Sequence, residues 1–252
     1  MKVLYSTITI LVLTLLVVTS ANAQATIDLE TGAVFTGYND VQIPGDQGTR
    51  FSLKDDLKPD AKFFYRLRFS YTINTRHTLS LLYAPLETTS EGSIPRNILF
   101  EGAVFNANTP LRGTYKFNSY RLTYRYNIVQ KPKVEFGLGF TAKIRDANIS
   151  LSSAAQTSEK DNVGFVPIIN FRLLWNINDA LGLLLEGDAL AAPQGRAEDI
   201  SLAATYKLSD NLRIRAGYRV LEGGADNDEV YNFALFHYAA AGISYTFNSG
   251  SK

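Results

Sequence analysis

KFFYRLRFSYTIN, residues 62–74, places Phe63, Tyr65, Leu67, Phe69, Tyr71 and Ile73 at every second position, with Lys62, Arg66, Arg68, Ser70, Thr72 and Asn74 between them. A period of two is that of a β-strand, whose successive side chains point to opposite faces; a helix would scatter both sets around a cylinder. The segment therefore has one apolar face and one basic face. Phe64 alone breaks the alternation.

The same split recurs. Tyr120, Leu122, Tyr124, Tyr126 and Ile128 oppose Ser119, Arg121, Thr123 and Arg125, and Leu212, Ile214, Ala216, Tyr218 and Val220 oppose Arg213, Arg215 and Arg219. Ten such segments run at 26–38, 61–74, 77–90, 114–128, 133–150, 163–176, 180–191, 197–208, 211–222 and 231–247. Soluble strands usually have ~5–6 residues and a tilted strand needs ~9–11 to cross a bilayer, so segments this long favour a membrane wall over a sandwich. The links at 74–77, 129–132, 176–180 and 208–211 are tight and alternate with mostly longer ones at 39–60, 91–113, 151–162, 192–196 and 223–230. Short turns at one end and long loops at the other predict an all-β, transmembrane, antiparallel up-and-down β-barrel of ten strands, with eight and twelve as the neighbouring even counts. NILFEGAVFN, residues 97–106, is read as a strand pair protruding above the membrane from the second long loop. Pro85 and Pro167 lack a ladder donor and are placed towards the long-loop rim, where pairing ends.

Residues 1–23 are set apart as a signal peptide: a basic start at Lys2, an apolar run from Ile8 to Val18, and the small-x-small site Ala21-Asn22-Ala23. The run is shorter than the ~20 residues of a spanning helix. Residues 24–252 are then the barrel domain, with Lys2 removed and 24 basic groups facing 24 acidic ones. That balance gives no footprint for nucleic acid. The absence of cysteine excludes a lipid anchor on an N-terminal Cys and a disulfide framework.

Assigning the polar rows to the interior puts Lys62, Arg66, Arg68, Arg121, Arg125, Lys143, Arg145, Arg172, Lys207, Arg213, Arg215 and Arg219 inside, against Asp28, Glu30, Glu135, Glu186, Asp188 and Asp199. Twelve cations against six carboxylates leave an excess of six. Acidic strands lie beside basic ones, the first beside the second and the seventh between Arg172 and Lys207, so neighbouring strands are expected to pair. Two interiors fit: one plugged by ion pairs, or a narrow anion pathway along Arg121, Arg125, Arg213, Arg215 and Arg219. On this face assignment an arginine at Leu67 or Leu138 is expected to be costly and one at Thr72 or Ser119 mild.

Candidates for chemistry are few. His77 falls at a tight turn with Ser80 near it, and His237 lies on the outer row of the last strand with Glu222 on the preceding one. Lipid A deacylases of the outer membrane resemble this chain in size, and the resemblance implies a hydrolase at the outer leaflet as the alternative function. Their H-x-S motif is absent, since His77-Thr78-Leu79 and His237-Tyr238-Ala239 both fail it, so no catalytic residue is assigned. Omptin proteases share the strand number, without a matching motif. Asp226, Asp228 and Glu229, with Glu198 or Asp199, are oxygen donors without the spacing of a calcium loop, and no metal or cofactor is assigned.

The closing stretch AAAGISYTFNSGSK carries Gly242, Tyr245 and Phe247 as G-x-x-Φ-x-Φ. This resembles the signal by which the outer-membrane assembly machinery recognises its clients, here followed by five further residues. FNSYRLTYRY, GFTAKIRDA, APQGRAED and EGGADNDEVYNF are similar to segments of small bacterial outer-membrane β-barrel proteins of unassigned function. The resemblance covers the barrel domain and implies a porin-like or structural monomer in a Gram-negative outer membrane, with lipid, lipopolysaccharide and the assembly machinery as partners. It implies no activity.

Overall fold

The structure is a computed structural model and describes residues 23–192 and 195–248. Residues 1–22 of the signal peptide, Pro193 and Gln194 of APQGRAED, and the last four residues lie outside the described residues.

In chain order the strands are β1 (Ala23–Gln42), β2 (Phe51–Ser52), β3 (Lys58–Pro59), β4 (Lys62–Ile73), β5 (His77–Ala84), β6 (Glu87–Ser93), β7 (Ile98–Phe100), β8 (Ala103–Phe105), β9 (Pro110–Lys131), β10 (Val134–Ser152), β11 (Thr157–Asn176), β12 (Leu181–Ala192), β13 (Gly195–Lys207), β14 (Leu212–Asp226) and β15 (Tyr231–Asn248). β5 and β6 both pair with β9 and form one wall strand interrupted at Pro85-Leu86. Ten wall strands then follow one another antiparallel from β1 to β15, and β1 pairs with β15 from Gln24↔Asn248 to Gln42↔Tyr231, closing the barrel. Closure pairs the first wall strand with the last, so neither is left as an open edge in hydrocarbon.

Each of the ten sequence segments is a wall strand, but the long links are shorter than expected. Residues 151–152 and 157–162 extend β10 and β11, and 223–226 extend β14. Strands that rise past the membrane are wet on both sides, so they lose the alternation by which they would be recognised. At the opposite end, Asn74 and Thr75 take φ of 51° and 60°, as a two-residue hairpin turn matched to strand twist requires.

The apolar rows point outward as expected. Leu67, Phe69, Leu79, Leu81, Leu122, Leu138, Phe140 and Ile243 are among the exposed large hydrophobics, with Tyr71, Tyr126, Trp175, Tyr245 and Phe247 towards the short turns and Phe35, Phe63, Tyr65, Tyr120 and Phe165 towards the loops. Such a belt with aromatic margins fits the hydrocarbon and its two interfaces.

Phe64 is the exception because the upper interior is not polar. Its ring lies inside, edge-on to Tyr238 at 4.8 Å, and covers Gly32, whose φ of 146° and proximity to the Ala239 carbonyl leave no room for a side chain. Phe64 belongs to one buried apolar cluster with Val34, Leu86, Tyr115, Ile149, Leu221 and Phe236. The long loops fold down onto this floor instead of standing clear of it. β7 and β8 form the expected hairpin, yet Ile98, Phe100 and Phe105 are buried with Ile43, Phe51, Leu53, Leu57 and Ile94. The hairpin does not protrude: burying these side chains stabilises it against the barrel mouth, and the Thr49 amide donates to the Leu99 carbonyl at 2.8 Å while Glu101 donates to Ile43 at 2.9 Å.

Arg96 fixes the first loop from the second, donating to both oxygens of Asp56 at 3.1 and 2.8 Å. Burial opposes the charged form of Asp56, but the Arg96 hydrogen bonds and the Ser52 amide outweigh it and hold the carboxyl below its ordinary value. A depressed carboxylate contributes its stability above its unfolded value and loses it as pH falls through the folded one. The first loop should therefore open to pepsin only at pH below the ordinary carboxylate range, and Arg96→Ala should shift that onset upward.

The face assignment gives a second test. Arginine at Leu67 or Leu138 should destabilise the folded barrel by ~2–4 kcal/mol in urea titrations in lipid, against a much smaller cost at Thr72. Ser119 is not the mild control the sequence suggested: it is 3% exposed and its hydroxyl accepts from Arg121. Equal costs at Leu67 and Thr72 would reverse the faces.

Candidate functional site

The short-turn half of the interior is a layer of charges. Arg219 on β14 sits at its centre, 1% exposed. Its Nε donates to Glu30 Oε1 at 2.7 Å, Nη2 to Glu30 Oε2 at 3.1 Å, and Nη1 to Asp199 Oδ1 at 2.6 Å. Arg66 reaches Asp199 Oδ2 at 2.8 Å, and Arg121 spans Asp188 and Asp199, each at 2.6 Å. Asp188 also accepts from Thr141 at 2.7 Å and Asn170 at 2.9 Å. Arg215 holds both oxygens of Asp28 and donates to Glu30 at 2.9 Å. Arg68 binds Glu186 at 3.0 Å, and Arg172 lies between Glu135 at 3.5 Å and Glu186 at 3.9 Å.

Six guanidiniums thus meet six carboxylates. The pairs are not mainly those of neighbouring strands. Asp28 and Arg68 are register partners, as are Glu30 and Arg66, but Arg68 crosses to Glu186 and Arg66 to Asp199, leaving a Glu30–Arg66 approach of 3.8 Å. Inward side chains on a closed wall converge on the axis, so long guanidiniums meet carboxylates from across it. Lys207 pairs with Asp210 of its own turn at 2.8 Å and not with β12.

Of the residues expected to line an anion pathway, Arg121, Arg215 and Arg219 are therefore paired. Arg125 and Arg213 make no ion pair among the described residues and face a cavity of about 400 Å³ at the short-turn end. Lys143 and Arg145 face a second cavity of about 520 Å³ under the long loops. The two cavities share no lining residue and are separated by the charge layer. Thr141 and Asn170, which complete the coordination of Asp188, were missed by the sequence reading; small polar residues on an inward row carry no signal beyond their parity.

Gly242 of the terminal motif faces inward, and a Cβ there would stand 2.6 Å from Arg215 Cζ. Tyr245 and Phe247 face outward, in edge contact at 4.8 Å, paired with Ile27 and Ala25 of β1.

The candidate chemistry is not assembled. His237 Nδ1 is hydrogen-bonded to the Tyr218 hydroxyl, while Glu222, in register with Leu235, is held by Arg196 at 2.9 and 2.8 Å and by Tyr38. His77 bonds Tyr124 on the outer face at 2.9 Å, whereas Ser80 lies inside against Ser70 at 2.8 Å. Among the described residues no cluster of His, Asp or Glu is gathered as a metal site, and Asn227 closes the 226–229 loop on itself by accepting from the Glu229 and Val230 amides.

No family model and no curated protein sequence matches the chain. Solved structures do. The outer-membrane protease OmpT of Escherichia coli superposes with a TM-score of 0.54 over 89% of this chain and 97% of its own, at 12% identity. Ail, the attachment invasion locus protein of Yersinia pestis, gives 0.40 over 88% and 99% at 13% identity, and Neisserial surface protein A gives 0.34 over 90% and 97% at 14%. The chain has the fold of bacterial outer-membrane β-barrel proteins. At this identity the OmpT likeness conveys the fold alone.

The charge layer makes a prediction. Arg219→Met leaves Glu30 and Asp199 under-compensated and should cost about 3–5 kcal/mol, as removal of one partner from a buried pair does. Arg125→Met strands no carboxylate and should be neutral or stabilising. Urea unfolding in lipid vesicles distinguishes them, and similar losses for both would refute the pairing scheme.

Proposed function

We propose that the chain is a non-enzymatic outer-membrane barrel with a sealed interior, a monomeric scaffold that presents its capped long-loop end outside the cell. Residues 1–23 would direct export, and the closing G-x-x-Φ-x-Φ would present the chain to the assembly machinery. Lipid contacts the belt, lipopolysaccharide the outer rim, and nothing in the charge balance invites nucleic acid.

One observation carries the reading: the two cavities are separated by a neutral layer in which six arginines are matched by six carboxylates. A pathway needs sites that an ion can enter and leave, whereas these guanidiniums are already satisfied, Arg68 by one carboxylate and the other five by at least two each. The apolar contacts of Phe51, Phe100 and Phe105 add a second seal above it.

Two experiments test this. The boiled and unboiled chain should migrate differently in detergent gels, as a closed barrel does, and fractionate with the outer membrane. In planar bilayers under a salt gradient the chain should pass no steady current. An anion-selective current that falls in Arg215→Glu would replace the scaffold with the pathway.

A further inference from the structure

The wall has a gap near its long-loop end. β11 pairs with β10 along its whole length, from Ser152↔Thr157 to Val134↔Trp175, but with β12 only from Ile169↔Ala189 to Asn176↔Gly182. Residues 157–168 thus have no ladder pair on the β12 side among the described residues, and the last described pair between β12 and β13 is Ala192↔Gly195. Pro167, with no N–H to donate, stands where pairing ends. The gap begins at the loop-side margin of the apolar belt, where Phe165, in register with Ile144, is 67% exposed on the outer face.

Behind the gap lies the cavity of about 520 Å³, within the ~300–1,000 Å³ of small-molecule sites. Tyr115, Phe117, Leu190 and Phe236 supply apolar walls. Lys143 enters it, 3% exposed, with no carboxylate within ion-pair distance among the described residues and its Nζ 4.6 Å from the centre of the Phe117 ring. Arg145, the next inward residue of β10, has a buried Nε without a hydrogen-bond partner. Glu222 at the cavity's edge does not neutralise them, because Arg196 and Tyr38 already hold it. A buried cation without a counter-ion is costly. A ligand bringing an anionic head on an apolar chain would remove that cost and fill the walls at once.

We propose that this cavity binds a single-chain amphipathic carboxylate of the fatty-acid class, its head on Lys143 and Arg145 and its chain running past Leu190 and Phe165 into the gap. A free inorganic anion lacks the chain that the walls solvate, and an alcohol lacks the charge. Binding is independent of the scaffold reading: a barrel can be sealed across its axis and still admit a ligand from its side.

The test uses the full chain in phosphatidylcholine nanodiscs and radiolabelled dodecanoate, with binding taken as the saturable component above partition into empty nanodiscs. One dodecanoate should bind per barrel, dodecanol at least about tenfold more weakly, and acetate should not compete, as expected when a charge-assisted hydrogen bond anchors the head. Lys143→Met should weaken dodecanoate about tenfold while leaving heat-modifiable migration intact, since it removes an unpaired buried charge. Ala197→Phe, which narrows the cavity and keeps both cations, should abolish binding. Equal affinity for dodecanoate and dodecanol, or undiminished binding in either variant, overturns the proposal.

Discussion

A ten-stranded wall closed by β1 on β15 encloses a narrow interior, and a charge buried there without a partner is costly. Arg219, held by Glu30 and Asp199, is where that demand is met. Neither carboxylate belongs to a strand that pairs with the other, so the guanidinium ties β14 to β1 through the lumen and adds to its ladder with β13. Isolated buried pairs are weak evidence of stability. A layer in which each of six arginines has a carboxylate has a further effect, because a strand slipped by one residue would turn its arginines towards lipid and strand the carboxylates inside. Register is thereby fixed by electrostatics and by the apolar belt together.

Above that layer the barrel changes character. The inward row of β4 goes from Arg66 to Phe64 in two residues, and β15 goes from Gly242 to Phe236 and Tyr238 in the same direction. The two long loops then close over an apolar core like that of a soluble domain, with Ile43, Leu57, Ile98 and Phe100 fully buried. The inner face is therefore not polar throughout, and this is the physical reason Phe64 interrupts an otherwise strict alternation.

Fold and face were legible because alternation over a dozen residues is a strong signal when one side meets hydrocarbon and the other meets charge. The ten segments, the inward arginines and the four acidic partners Asp28, Glu30, Glu186 and Asp188 follow from parity alone. Parity says nothing about height or angle around the axis. For that reason adjacent-strand pairs were expected where Arg66 and Arg68 cross the lumen, the loop hairpin 98–105 was read as protruding, and an anion pathway along Arg121, Arg215 and Arg219 stood beside the plugged interior. Loops that bury Ile and Phe against a barrel mouth have no fixed period, and their packing is a tertiary fact.

The excess of six positive charges was legible too, and its distribution is the more informative result. The matched layer accounts for none of it; the remainder is Lys62, Arg125, Lys143, Arg145, Lys207 and Arg213. Arg125, Lys207 and Arg213 line the cavity at the short turns, where Lys207 has Asp210 and open water lies near. Lys143 has neither. It sits among Tyr115, Phe117 and Phe236, where a methionine would pack without an unpaired charge. In a structure whose other deeply buried charges are so thoroughly matched, a local choice that works against folding marks the place where something other than folding set the residue.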